Sequence, residues 1–420
     1  MTSEVILMNQ HTVVLAADSA VTFRDGRSSA TSYLNGVQKI FTLDDQGPIC
    51  AMIYGSGSYC GLQWRIVFEE FANTYRASCD TVETYAEKLV KFLANIKEEA
   101  GFEIDDARYY QNFDQYIERF TYQFCDLLVD RGWENAEDRQ AAAEQALEAL
   151  RESIRGGDDS GSSPQMRAIC DTSPPFETFL KEHLDACMDI NLGWFLEDDV
   201  KDLPETVVKE LKLLVTEAMC LNWFPTGEYS TGVVLAGFGK AQPIPGAISI
   251  EFSGGFAGFL PSSVSVLRAT NSPVPSAVFQ TFAQHDLLTA LVDGVTPDFQ
   301  MILRRKLLDA IIDRHKSLVV AEDASRSRKL RAAKDQKLVM DVFLSIVQAL
   351  DSTTTDHRVE RLGTIRSDIS QCPPDLLLEY AKKLMRINIQ GMEVLHNSSV
   401  GKPIRVFAIS KGRVVEELET

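Results

Sequence analysis

Several large classes of protein are excluded by what this chain lacks. No apolar run approaches the roughly 20 residues that a helix needs to cross a bilayer, so no membrane partner is expected. The start shows no basic flank followed by an apolar core, so no secretory leader is expected. Basic residues are in the minority: 42 Lys and Arg against 60 Asp and Glu give a net charge of −18. That balance argues against nucleic acid as the main partner. None of the eight cysteines forms a Cys-x-x-Cys pair, and none of the six histidines sits in His-Glu-x-x-His or a zinc-spaced cluster. Neither a disulfide framework nor a metal site is expected, and a reducing, cytoplasmic compartment is. Gly237-Phe238-Gly239-Lys240 lacks the spacing of a P-loop, and no internal repeat is visible.

What is present is an ordinary globular composition. The 420 residues, 45% of them hydrophobic, suffice for a large core and two or three domains. Alternating apolar residues predict strands at 3–8 and 11–17, joined by a hairpin turn at Asn9-Gln10-His11. Further strands are expected from Lys39 and over 49–53, followed by Gly55-Ser56-Gly57-Ser58 and a helix over 60–76. Residues 80–155 read as helical, with Tyr116, Phe120 and Phe124 on one face. Residues 156–164 read as a linker, and helical pattern returns at 175–187 and 204–220. Strands at 232–238 and 247–252 precede helices at 276–293, 297–316, 328–350 and 374–395. The chain closes on a hairpin, 404–410 and 414–418. This order is not the βαβ rhythm of a doubly wound sheet. It suits antiparallel sheets with helices packed outside and a long helical insertion.

The residues that carry chemistry lie near the start. If Met1 is removed, Thr2 presents a hydroxyl and a free α-amine on one residue, a nucleophile with its own base. An α-amine titrates near about 7.7–8.0, close to ideal for a base at neutral pH. A neighbouring lysine cation, Lys39, would push the amine toward its free form. An aspartate, Asp18, would hold that lysine. Backbone N–H groups on the Gly55 loop would receive an oxyanion. The hairpin brings Thr2 and Asp18 to one end of a sheet, and Lys39 starts the next strand.

Thr2, the run Val13-Val14-Leu15-Ala16-Ala17-Asp18-Ser19, Lys39-Ile40 and Gly55-Ser56-Gly57 together resemble the opening of a proteasome β-subunit. More broadly they resemble the N-terminal nucleophile (Ntn) hydrolases. Val233–Gly239 resembles central strands of the bacterial proteasome-like group, Phe282-Ala283-Gln284 with Gly294 a helix of that group, and Gly401–Val406 its closing hairpin. The resemblance implies an α+β fold, a four-layer αββα Ntn-hydrolase sandwich with a large helical insertion. The division would be 1–77 and 226–420 for the sandwich and 78–225 for the insertion. It implies a threonine-type peptidase acting on a peptide or protein substrate without metal or organic cofactor. Thr2 would attack, Lys39 tune, Asp18 fix Lys39, and Gly55 bind the oxyanion. Thr22 and Gly57 would hold an extended substrate as an added strand. The family's Asp and Ser before the closing hairpin fall by position near Asn397 and Val400, with Ser398 and Ser399 as neighbours that would serve. Ser272 and Ser276 are candidates for a further supporting serine. Self-association into a homo-oligomer is implied, with the insertion available to another partner.

Two other functions use the same residues. A catalytically inactive assembly or partner-binding protein would keep Met1, and a small-molecule amidase or acylase would enclose Thr2 in a pocket. Each residue alone also has a plainer reading. Asp18 would be a turn residue, Lys39 a solvated lysine, and Gly55–Ser58 a turn or helix cap. Cys60, with no histidine partner in sight, reads as a buried structural thiol. The basic run from Arg326 to Lys337 reads as a solvated helix face, and Tyr116, Phe120 and Phe124 as core of the insertion.

Overall fold

The first hairpin forms as β1 (Ser3–Met8) and β2 (Thr12–Ala17) in the computed structural model. That structure describes residues 3–24, 31–34, 36–44, 48–75, 80–101, 106–130, 133, 139–156, 174–196, 203–220, 223, 231–252, 254–255, 260, 262–269, 277–283, 290, 292, 302–307, 328–394 and 401–419. Asn9 makes the turn: its Oδ1 accepts from His11 N and Thr12 N at 2.9 and 3.0 Å. An asparagine side chain that substitutes for backbone in this way favours a tight turn over a longer strand.

β3 (Val21–Arg24) and β4 (Thr31–Leu34) pair with each other, and β5 (Ile40–Asp44) pairs with β6 (Ile49–Tyr54). The short pair β7 (Ser58–Tyr59) and β8 (Leu62–Gln63) delays the expected helix, so α1 spans Trp64–Thr74. Next come α2 (Val82–Ala94), α3 (Ile96–Ala100), α4 (Asp106–Asp130), α5 (Arg139–Gly156), α6 (Pro174–Leu196) and α7 (Glu205–Cys220). Thr81 caps α2, its hydroxyl accepting from Thr84 N at 3.1 Å. Strands β9 (Thr231–Gly237), β10 (Gly246–Phe252), β11 (Ser262–Arg268) and β12 (Val278–Ala283) follow. Helices α8 (Arg328–Gln371) and α9 (Pro374–Val394) then lead to the closing hairpin, β13 (Ile404–Ser410) and β14 (Arg413–Glu419).

The fold is α+β, with two five-stranded sheets ordered β12-β1-β2-β13-β14 and β11-β10-β9-β6-β5, antiparallel at each pairing. Side-chain alternation sorts each strand between two apolar layers. Ile6, Met8, Val13 and Leu15 of the first sheet pack with Met52, Val234 and Ala236 of the second. Val5, Leu7, Val14 and Ala16 turn the other way, onto Leu377, Ala381, Leu384 and Met385 of α9. Ala51, Ile53, Val233 and Leu235 cover their outer face with α1 and α2. Helices α4 to α7 have a core of their own. Tyr116, Ile117, Phe120 and Phe124 meet Leu147, Leu150, Met188, Leu211 and Val215 there. Asn112 on α4 crosses to the sheet side, Nδ2 donating to Gly255 O at 2.8 Å.

Three expectations are corrected. The segment expected as a helix over 276–293 contains β12, and Phe282-Ala283 lie in that strand. Ala277 and Phe279 face one way and Val278 the other, the alternation of a strand, and the segment pairs with β1. α8 does not stop near 350 but runs to Gln371, where buried Ile369 joins the layer under α9. β11 is an additional strand, paired along its length with β10. Of the expected helix at 297–316, residues 302–307 are described and helical, and residues 157–164 of the expected linker lie outside the described residues.

Candidate active site

The site begins where β1 and β2 run out at one end of the first sheet. Asp18 N donates to Ser3 O at 3.1 Å, carrying the hairpin pairing one step past β2. The Asp18 carboxylate takes four donors. Oδ1 accepts from Ser3 N at 2.9 Å and Lys39 Nζ at 2.5 Å. Oδ2 accepts from Ala20 N and Gly401 N, both at 3.1 Å. Four donors fill the acceptor sites of a carboxylate. Asp18 is therefore built to hold its neighbours in place, and poorly placed to shuttle protons.

Lys39 reaches this carboxylate from the second sheet. It lies just ahead of β5, and its carbonyl accepts from Ile53 N at 2.9 Å, which fixes it beside the end of β6. Its side chain is only 3% exposed, and Glu4 Oε1 lies 3.5 Å from Nζ. Both carboxylates are fully buried. An ammonium in such a place has to be paired. The pair joins the two sheets, so it also locks their relative position. The plainer readings of Asp18 as a turn residue and Lys39 as a solvated lysine do not fit this burial.

Gly55 follows β6 two residues after Ile53, exposed and at φ +83°, a conformation that favours glycine. Gly57 is also exposed, in a loop where Trp64 Nε1 donates to Ser56 O at 3.0 Å. Thr22 lies in β3 opposite Tyr33 of β4. Thr2, Ser398 and Ser399 lie outside the described residues, as do Asn397, Val400, Ser272 and Ser276. Asp18 and Lys39 are thus together, with the strand end that leads to Gly55 alongside. Thr22 and Gly57 sit on separate elements.

Four positions here were not singled out from the sequence as site residues. Ser3 is pinned to α9: its hydroxyl accepts from Asn388 Nδ2 at 2.5 Å and donates to Met385 Sδ at 3.9 Å. Gly401 contributes only backbone, giving N–H to Asp18 and accepting from Ser19 N at 3.3 Å. Glu4 was overlooked; the available signal was a charged residue in an otherwise apolar strand. Tyr54 is the fourth, stacked on Phe282 with ring centroids 5.1 Å apart. Its hydroxyl donates to Glu251 Oε1 at 2.8 Å and lies 3.2 Å from Ser249 Oγ. Burial, followed by the Glu251 charge, pushes its phenol far above the ordinary range, so it stays protonated. Gly232 makes room for that ring, since a Cβ there would stand 1.9 Å from Tyr54.

Cys50 is a poor nucleophile. Burial pushes the Cys50 thiol up to about 12. Cys60 is half-buried at φ +50°, its Sγ 3.6 Å from Asn112 Nδ2, a more open position than the expected buried thiol. Among the described residues no group of three His, Cys, Asp or Glu is placed to hold a metal ion, and no helix is long and apolar enough to cross a membrane. Arg328, Lys329, Arg331, Lys334 and Lys337 of the basic run fall on α8. Tyr116, Phe120 and Phe124 are core, fully buried.

No family model matches the chain, and no curated protein matches it. Among solved structures, an Anbu (Gly-1) mutant from Hyphomicrobium sp. strain MC1 is 12% identical, over 100% of this chain and 88% of that one, at a TM-score of 0.26. Anbu (ancestral beta-subunit) from Yersinia bercovieri is 9% identical, over 100% and 87%, at a TM-score of 0.28. These values correct the resemblance drawn from the sequence. With no family model matching and structural likeness this low, the chain is not assigned to the proteasome β-subunits or to their bacterial group, and any relationship is distant. Roles carried over from that family have to rest on the residues themselves.

Proposed function

We propose that this chain is an N-terminal threonine hydrolase that cleaves amide bonds, of peptides in the first instance. The observation that carries the reading is the buried Asp18–Lys39 pair and its bond to Ser3 N. Ser3 N is covalently bonded to the carbonyl carbon of Thr2, so the site begins one bond away from that residue. With Met1 removed, Thr2 Oγ attacks the carbonyl of the scissile bond. The Thr2 amine takes the hydroxyl proton, directly or through one water, and returns it to the leaving amine. Lys39 keeps the amine in its free form, and Asp18, already saturated with donors, keeps Lys39 in place. The Gly55 N–H receives the oxyanion. Water then hydrolyses the ester on Thr2 with the same amine as base. Thr22 and Gly57 would line the path of an extended substrate.

The same reading takes the two sheets, with α1 and α2 on one outer face and α9 on the other, as the four-layer αββα sandwich of N-terminal nucleophile hydrolases. Residues 78–225 are its insertion in sequence. Its self-contained part starts at α4, since α2 packs on β9 and β10.

Intact mass before and after exposure to a peptide epoxyketone tests the reading, because that electrophile needs an N-terminal hydroxyl and its free amine together. The expected result is loss of Met1 and one adduct on Thr2. Thr2→Ala should abolish both adduct and peptide turnover while leaving the thermal midpoint unchanged. Met1 retained with no adduct would overturn the mechanism, and so would a fully active Thr2→Ala protein.

A further inference from the structure

The mechanism above employs Lys39 and Asp18 but gives Glu4 no task. Glu4 is fully buried on β1, paired in register with Ala17 of β2 and Phe282 of β12. It shares a strand face with Ile6 and Met8, which belong to the apolar layer between the sheets. An apolar residue would suit that position better than a carboxylate, since a buried charge is costly. Glu4 instead brings a second negative charge to a lysine that Asp18 already holds at the shorter distance. Asp18 and Glu4 against Lys39 leave the group one negative charge in excess when both acids are ionised.

Among the described residues, the charged and titratable groups that face Glu4 include several from different elements. Lys39 arrives from the loop ahead of β5 and Asp18 from the end of β2. Tyr54 of β6 feels the Glu4 charge, and Glu251 of β10 stands behind Tyr54. Of these only Lys39 is a cation. A second cation placed nearby along the chain is the α-amine of Thr2, two residues before Glu4 on the same segment.

We propose that Glu4 is a positioning residue and the second counter-ion of the site: it steadies the Lys39 ammonium, and its charge offsets that of Lys39 in setting the proton affinity of the Thr2 amine. This rests on the reading of Thr2 as a nucleophile with its own amine as base. A lysine alone would drive the amine toward its free form at every physiological pH. Glu4 pulls it back, so the free base appears across the neutral range and the enzyme is silenced in mild acid.

The test needs no known substrate. The rate of epoxyketone adduct formation on Thr2 is followed by intact mass against pH in the wild type, Glu4→Gln, Glu4→Leu and Glu4→Asp. Removing a neighbouring charge moves a titration by about one unit or more. Glu4→Gln should therefore shift the acid limb of the profile down by about that much, raising labelling at mild acid relative to the plateau. Glu4→Asp, which restores the charge, should keep the wild-type midpoint. If Glu4→Gln does not fold, Glu4→Leu carries the same expectation, because it restores the apolar character of the layer. An unchanged midpoint with a uniformly lower rate would make Glu4 merely structural and overturn the proposal. A wild type that never forms the adduct would overturn the threonine reading and this proposal with it, a result distinct from the first.

Discussion

Lys39 and Lys212 each sit between two carboxylates, the first between the sheets and the second on the helical side. Lys39 has Asp18 and Glu4 at 2.5 and 3.5 Å, with the lysine 3% exposed and both acids fully buried. Lys212 on α7 has Asp185 and Asp189 of α6 at 3.0 and 3.1 Å, but the lysine is 23% exposed and the acids are 81% and 67% exposed. The chemical groups match; the surroundings do not. Around Lys212, burial pulls the ammonium's proton affinity down, the two aspartates outweigh it, and water screens what remains. Around Lys39 little water can intervene, so each charge depends on the others. Solvent access thus separates a surface pair that folding barely notices from a cluster on which the fold and the proposed chemistry both lean.

The largest expected effect comes from removing the buried cation. Lys39→Met leaves Asp18 and Glu4 facing each other in a dry layer. Breaking a buried pair in this way costs about 3–5 kcal/mol, read as a lower urea midpoint at pH 7. Adduct formation on Thr2 should be lost as well. The comparison is sharpened by adding Asp18→Asn and Glu4→Gln to the same protein. Neutralising all three groups should recover much of the lost stability, because no bare charge is left, but no labelling. Recovery of labelling in that triple variant would show that the cluster is structural only.

The next effect down tests what holds α4 to α7 together if ion pairs such as that of Lys212 do not. Ile117 is fully buried in that helical core. Ile117→Val removes a single methylene and should cost about 1 kcal/mol, measured as a shift in the thermal midpoint. A core that gave way to so small a change with no loss of stability would mean that its packing is loose, and the surface pairs would gain importance.

How much of this was readable in advance depends on how local each signal is. The β1–β2 hairpin was legible because alternation and Asn9 both act within a few residues. That Asp18 and Lys39 meet was legible because one stands at a strand end and the other at the start of a later strand. Glu4 was not, since a glutamate in a strand reads as solvent-facing until Lys39, from the other sheet, stands beside it. β12 was mistaken for helix because what makes it a strand is pairing with β1, more than two hundred residues earlier. Just past 350, Asp351-Ser352-Thr353-Thr354-Thr355-Asp356 are residues that compete with helical backbone. Helix α8 continues past them and is anchored at its far end by Ile369 under α9. Packing at one end overrode propensity in the middle.

The smallest effect returns to the lysine on the surface. Lys212→Ala should cost below about 1 kcal/mol at low salt. Near 1 M salt, where the screening length falls to about 3 Å, the difference from wild type should vanish. The Lys39→Met deficit should persist at that salt, because ions do not enter the layer between the sheets. Denaturation curves of both variants at low and high salt make the test. If both deficits faded together, the Lys39 cluster would be open to solvent, and the case for a dry, pre-set charge environment around Thr2 would fall with it. If neither faded, Asp185, Asp189 and Lys212 would be shielded in solution, and the contrast between the two lysines would have to be sought in their partners instead of in their access to water.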